Sequence, residues 1–392
     1  ADVVVVLSHG GFEGTSYDTA STGLPPENAG ARLAREVPGI DVVFLGHTHQ
    51  EVRDTTISGV LFTQAGMWAQ ALARANLTVE QRARNDWQVV RKSAQLLRPD
   101  SLRADTAFLD SLRWEHERAV AYVKSIAGTA SAPFTAVEGR TRDVAIADFI
   151  NEVQRKQAGT DLASTAVFRL GASLPRGNIT VADVAGLYVY DNTLKAIRIT
   201  GTQLKDYLEK SAEYFRTWPV PAGQTLINPN HRGYNFDVVS GVDYTIDLSQ
   251  PVGSRIKGLR FKGADVRADQ NFTLALNNYR QNGGGGFTMV SSAPVVYDRQ
   301  ESVRELLIDE IRRKRTIRPA DYFKQNWSIV PLEAARAAQA ELRAEATEVV
   351  AGAQPVKRLR VLGQNDFHGR LQPEVYNWSE GKPVGGAAVL YA

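Results

Sequence analysis

Ile40-Asp41-Val42-Val43-Phe44-Leu45-Gly46-His47-Thr48-His49 reads as a short apolar strand that stops at a glycine and sets two imidazoles just beyond it. A continuous β-branched and aromatic run is the pattern of a strand covered on both faces, as in a parallel α/β sheet. The same arrangement recurs twice. Asp2-Val3-Val4-Val5-Val6-Leu7 runs into Ser8-His9-Gly10-Gly11, and a strand opening at Leu359 delivers Asn365-Asp366-Phe367-His368-Gly369. Of the chain's six histidines, His9, His47, His49 and His368 stand at these strand ends. In α/β folds, ligands bind at the carboxyl ends of strands, so the expected fold class is α/β with its site in these loops.

The chemistry of those loops is specific. His47 and His49 are two apart, and with Gly46 supplying the turn their rings can face a common point. Asp366 and His368 have the same spacing, with Gly369 beside them. A carboxylate and neutral imidazoles suit iron, manganese, zinc or cobalt. Two such cations activate a water and clamp a phosphoryl group in an in-line displacement. A lone histidine at a strand end is an ordinary turn residue, and the case rests on three motifs, each after an apolar strand and each beside glycine. His116 reads as a solvated face residue, and His231, in Pro229-Asn230-His231-Arg232-Gly233, as structural or substrate-adjacent.

Composition narrows the class. The 392 residues are 43% hydrophobic and 23% charged, with a net charge of +3, ordinary values for a globular chain of two or three domains. Acids and bases are interspersed and no basic run with interleaved aromatics occurs, which argues against a nucleic-acid polymer as partner. With no cysteine, disulfide and thiolate-metal sites are excluded. No apolar run approaches the length of a membrane span. A chain that enters a strand at Asp2, with no signal peptide before Ala1, reads as a fragment or a processed piece.

Residues 1–97 read as the later half of a layered α/β domain. A helix is expected over Glu27–Val37, ended by Pro38-Gly39, with further strands at Val60–Phe62, Ala71–Val79 and Trp87–Arg91. Leu102, Phe108, Leu109, Leu112, Val120 and Val123 recur at helical spacing, so 98–125 is expected to be one long linker helix. A second α/β domain is expected over 126–330. Its helices are Ala145–Gln157, Gly201–Phe215 opened by Thr200, and Ser302–Arg315; its strands are Val242–Leu248, Ile256–Phe261 and Phe272–Leu276. Residues 331–357 read as a helical or flexible connector. Residues 358–392 read as the first strands of another domain.

These strings resemble the calcineurin-like metallophosphoesterases, and more narrowly the secreted 5′-nucleotidase group. The second domain carries the likeness further in Val189–Leu194, Ile199–Glu209 and Asn277-Asn278-Tyr279-Arg280-Gln281-Asn282-Gly283-Gly284-Gly285-Gly286-Phe287. Gly66-Met67-Trp68 and Tyr234-Asn235-Phe236-Asp237 are most similar to 2′,3′-cyclic-nucleotide 2′-phosphodiesterase/3′-nucleotidases. The resemblance implies part of a four-layer αββα metallophosphoesterase domain, followed by an α/β 5′-nucleotidase C-terminal substrate domain. It implies two divalent metal ions (manganese, zinc, cobalt or iron) held by His9, His47, His49, Asp366 and His368. It also implies a nucleotide substrate and a periplasmic, secreted or cell-surface location. Tyr279 would stack on the base from one side and Tyr234 or Phe236 from the other, with Asn278, Gly283 and Gly284 lining the loop and Arg169 near the ligand. Plain 5′-nucleotidases carry Phe-Asn before the glycine loop and a ribose-binding Asp within it. Tyr279-Arg280 and Gly285 stand there instead, which fits a ribose whose hydroxyls carry the phosphate.

The family's bridging Asp, in a Gly-Asp motif, and its general-acid His, in Gly-Asn-His-Glu, occur nowhere in the 392 residues. Circular permutation and a tandem protein both account for the order of the motifs, and the linker-like 331–357 favours the tandem. His9, His47 and His49 then serve one metal site, and Asp366 and His368 another. Three functions follow: a metal-dependent nucleotide phosphohydrolase, a catalytically incomplete nucleotide-binding module, or a sulfur-oxidation or sugar-phosphate hydrolase that shares the metal domain and binds no purine.

Overall fold

The computed structural model describes residues 2–14, 19, 23, 25–84, 86–99 and 102–351, and the paired strands 374–375 and 383–384. Asp366, His368 and the strand expected from Leu359 lie outside the described residues. The chain divides into two compact units, Ala1–Ala119 together with Ala351–Ala392, and Val120–Val350.

In the first unit, β1 (Val5–Leu7), β2 (Val42–Phe44), β3 (Glu51–Ile57) and β4 (Val60–Ala65) form a sheet in the order β1-β2-β4-β3. β1, β2 and β4 are parallel and β3 is antiparallel to β4. β2 and β4 fill the centre, with Val43, Leu61 and Phe62 fully buried. β1 departs from the expectation of a strand covered on both faces. Among the described residues it pairs with β2 alone, and Val5 and Leu7 are 49% and 81% exposed. The helix expected before Pro38-Gly39 spans Gly30–Glu36 and buries Ala31 and Ala34. β5 (Leu72–Ala83) and β6 (Asp86–Leu97) pair as one long antiparallel ribbon. The single linker helix is instead two, Thr106–Ser111 and Arg113–Lys124, because Leu112 has a non-helical φ and ψ of −104° and 4°.

The second unit is built on a five-stranded sheet. In spatial order its strands are Asp237–Ser240, Leu162–Ala166, Asn271–Asn277, Thr193–Thr200 and Val295–Ser302. The register pairs Asp237 with Ala166 and Asn277 with Leu194. Leu162–Ala166 runs parallel to Asn271–Asn277, and their outer neighbours Asp237–Ser240 and Thr193–Thr200 run antiparallel to them. The carboxyl ends of the two central strands therefore share one edge of the sheet with the amino ends of those two neighbours. That edge gathers the loops at 167–169, 189–192, 233–236 and 278–287.

Helices cover the sheet in the pattern the sequence predicts. Ala145–Ala158 buries Ile146, Phe149, Ile150 and Val153 along one stripe and ends at Gly159 with φ 65°. Gly201–Ala212 is opened by Thr200, whose hydroxyl accepts from Gln203 N while the Gln203 side chain accepts from Thr200 N. The residues expected to begin a connector form the helix Leu332–Ala351, and Ala334, Ala338 and Leu342 are in the core. Glu341 further ties that helix down by accepting from Leu226 N and Ile227 N at 2.8 and 2.9 Å.

Candidate functional site

In the first unit, the three parallel strands end in three loops that are laced together by main-chain bonds. Ser8 N donates to Phe44 O, Gly46 N to Gly10 O, and Leu45 N to Thr63 O, at 2.9, 3.2 and 2.9 Å. Asn28, nearly buried, accepts from Gly11 N at 2.7 Å and donates to Gly14 O, fixing the histidine-bearing loop after β1. The His9 and His47 rings come within 5.1 Å of each other, centroid to centroid. His47 Nε2 lies 2.9 Å from Glu27 Oε1. His49 turns toward Trp68, with ring centroids 6.2 Å apart. The left-handed residues of this turn are the histidines themselves, with φ 65° at His47 and 58° at His49, rather than Gly46. Trp68 and Ala69, after β4, share that conformation. Positive φ at bulky residues costs free energy, and such positions gather at functional loops.

Two adjacent imidazoles with a carboxylate against one of them are the right donor types for a borderline divalent cation. Their number falls short of a coordination sphere. Among the described residues, no three His, Cys, Asp or Glu side chains are placed to hold a metal. Glu27 was not singled out by the sequence reading, because an acid after Pro25-Pro26 carries no spacing signal.

The predicted nucleotide residues converge at the loop edge of the five-stranded sheet. Tyr279, in the short helix Asn278–Gln281 that follows the strand Asn271–Asn277, is 40% exposed. Gly284 packs beneath it so closely that a Cβ there would stand 2.6 Å from the ring. Gly283, Gly285 and Gly286 all have positive φ, which lets the loop fold back on itself. Asn278 faces inward, its side-chain oxygen accepting from Thr193 N at 3.1 Å and Asn192 Nδ2 at 3.2 Å. Tyr234 is half-buried, with its ring 6.3 Å from that of Tyr190, which stands edge-on to Phe168 at 5.0 Å. Arg169 is exposed at the end of the neighbouring loop.

Phe236 does not join that surface. It is 1% exposed and packs against Tyr214, Phe215 and Trp327 at 5.4, 5.3 and 5.9 Å, which makes it a core residue. Of the two aromatics named as partners for Tyr279, Tyr234 is the one at the surface. His231, in the loop before Tyr234, is half-buried near Glu213, and burial lowers its pKa.

Two buried arginines, neither assigned a role by motif reading, organise these loops. Arg140 donates to Val167 O at 3.0 Å and Phe168 O at 2.9 Å. Arg280 forms a fork with Asp237, Nε to Oδ2 at 3.0 Å and Nη2 to Oδ1 at 2.7 Å. Burial opposes the Arg280 charge, yet the Asp237 carboxylate outweighs it and holds the guanidinium pKa above its ordinary value. Tyr207 donates to Asp237 as well and is held by Ser164 at 2.8 Å, and burial raises its phenol pKa further.

Residues 125–292 match the family model described as 5′-nucleotidase, C-terminal domain. The chain is 28% identical over 381 residues to the trifunctional nucleotide phosphoesterase protein YfkN of Bacillus subtilis, covering 85% of this chain and 25% of that protein. It is 28% identical over 393 residues to the 2′,3′-cyclic-nucleotide 2′-phosphodiesterase/3′-nucleotidase of Salmonella typhimurium, covering 85% of this chain and 59% of that protein. Among solved structures, a putative 5′-nucleotidase from Staphylococcus aureus superposes with a TM-score of 0.65 at 26% identity, over 84% of this chain and 64% of that one. The chain thus spans about a quarter and about three-fifths of the length of these two curated relatives.

Proposed function

We propose, for a chain whose residues 125–292 match the 5′-nucleotidase C-terminal domain, that it belongs to a metal-dependent nucleotide phosphohydrolase acting on 2′,3′-cyclic nucleotides and 3′-nucleotides. The observation that carries this reading is Tyr279, a large aromatic left exposed on a rigidly built glycine loop. A flat ring of that kind is a stacking surface for a nucleobase. Gly285 offers no carboxylate to the ribose diol, which suits a diol already esterified by phosphate. Arg169, exposed on the adjacent loop, adds a cation for an anionic ligand. In the first unit, His9, His47 and His49 would hold the divalent ions, with Glu27 orienting His47. Bound cations of this kind supply an activated water and a clamp on the phosphoryl oxygens.

The 25% coverage of a protein named trifunctional supports the tandem arrangement over permutation, with Asp366 and His368 opening the next unit. Export to the periplasm or cell surface is part of the same reading. Among the described residues, no helix is long and apolar enough to cross a membrane.

The test is opening of 2′,3′-cyclic AMP to 3′-AMP, and phosphate release from 3′-AMP and 5′-AMP, with added manganese, measured on the full-length protein and on residues 1–392. Full-length turnover that favours the first two substrates supports the proposal. Failure of the full-length protein to hydrolyse any of the three refutes it. A second reading, a nucleotide-binding module, is favoured for these residues in isolation by the absence of Gly-Asp and Gly-Asn-His-Glu. Binding by residues 1–392 without turnover would identify it.

A further inference from the structure

Arg280 sits directly after the exposed Tyr279, yet it is 1% exposed itself. A guanidinium has five N–H donors in a fixed fork, and here each one has an acceptor. Nε and Nη2 take the two Asp237 oxygens; Nη2 also donates to Tyr234 O at 2.9 Å. Nη1 donates to Gly284 O at 2.6 Å and Asn235 Oδ1 at 3.3 Å. Its carbon lies 3.9 Å from the centroid of the Phe287 ring. One side chain thereby grips the main chain of both tyrosine-bearing loops, at Tyr234 and beside Tyr279. Gly285 closes the same knot: at φ 71°, a Cβ there would meet Asn235 Oδ1 at 2.2 Å and Arg280 Nη1 at 2.6 Å.

We infer that Arg280, charge-balanced by Asp237, is a positioning residue that fixes the spacing of the Tyr234 and Tyr279 loops, and through that spacing sets preference for nucleotides over phosphate esters without a base. With no donor left over, it has no contact to offer a ligand and acts only through the loops it holds. The inference rests on the nucleotide reading proposed above.

Steady-state kinetics of the full-length protein on 2′,3′-cyclic AMP and on bis(p-nitrophenyl) phosphate, which has no base, test it. Arg280→Lys keeps the charge but replaces the planar fork with a point donor. Nucleotide KM should rise about tenfold, equivalent to about 1.4 kcal/mol. Nucleotide kcat and both constants for bis(p-nitrophenyl) phosphate should be unchanged. Should Arg280→Lys fail to fold, Asn235→Ala decides the matter. It removes one acceptor and leaves the ion pair, and should give the same split with a KM rise of about threefold. Equal losses on the two substrates, or an unchanged nucleotide KM in a folded variant, overturn the inference alone. A wild type that cleaves bis(p-nitrophenyl) phosphate and neither binds nor cleaves a nucleotide overturns the functional reading, and the inference with it.

Discussion

Tyr279 and Phe236 show how far single residues can be read. Both are aromatics beside strand ends, and both were candidates to stack on a base. Local conformation separates them. Phe236 closes the short helical turn Gly233–Asn235 and packs into the core, whereas Tyr279 stands in the short helix Asn278–Gln281 and is partly exposed. Sequence alone gives the pattern and not the register, so the glycine loop was legible and the choice of aromatic was not. The buried arginines were hidden for a related reason, because Arg280 in a string looks like any surface charge beside an aromatic. The exposure of Tyr279 predicts that Tyr279→Ala weakens adenine-nucleotide binding by roughly 1–3 kcal/mol, a factor of about 5 to 150, by calorimetry. The melting temperature should stay within a few degrees, because little packing is lost. Unchanged affinity would favour a hydrolase that binds no purine. Gly285→Asp should be worse on both counts, since the loop has no space for a side chain. Its melting temperature should drop by several degrees along with nucleotide affinity.

At the level of elements, the helix starts were the most legible features, because their signals are local. Thr200 caps Gly201–Ala212, and Ala145–Ala158 follows its apolar stripe to Gly159. Pairing between distant strands is less visible, and Glu51–Ile57 escaped notice because its polar-rich alternation carries little apolar signal. Just before Ala145–Ala158 and in its first turn lies a device no pattern announces. Asp148 accepts from Lys324 N at 3.0 Å and Asp143 from Asn326 N at 2.9 Å, pinning the run that enters the strand Trp327–Val330. Burial pushes the Asp143 carboxyl up to about 6. Burial and the Asp143 charge push Asp148 up to about 7, against Ser240 and Lys324, which favour its ionised form. An unfolded aspartate titrates near about 4, so between that value and about 7 the folded unit holds protons the unfolded chain has released. Stability should therefore fall as pH rises through that window and level off above it. Asp148→Asn keeps the acceptor and removes the buried charge. It should flatten the slope and raise the melting temperature at pH 8 by roughly 2–4 °C for each kcal/mol recovered. A lower melting temperature with the original slope would show that the carboxylate is needed as such.

Across the whole chain, composition and motif order suggested an α/β half-domain over 1–97, a second α/β domain over 126–330 and the start of another over 358–392; the structure divides into the two compact units Ala1–Ala119 with Ala351–Ala392, and Val120–Val350. The boundary after the second was misjudged. An Ala-, Glu- and Arg-rich stretch has the composition of a spacer, yet small residues at 334 and 338 pack as well as large ones when a helix lies close to its core. The metal loops were legible as loops, but distance between imidazoles is a tertiary quantity, and the His9 and His47 rings lie 5.1 Å apart. This division of labour has a direct consequence. The proposed stacking surface, the glycine loop and the arginines that brace it lie within Val120–Val350, and the loops that carry His9, His47 and His49 lie within Ala1–Ala119. Nucleoside recognition should then be independent of metal. Treating the full-length protein with EDTA should abolish hydrolysis of 2′,3′-cyclic AMP, while adenosine affinity, read by calorimetry, shifts less than about twofold. His47→Ala should behave like chelation, and Tyr279→Ala should show the reverse, with metal affinity retained and adenosine affinity lost. Loss of adenosine binding on chelation would mean that the cation, and not the aromatic loop, carries recognition.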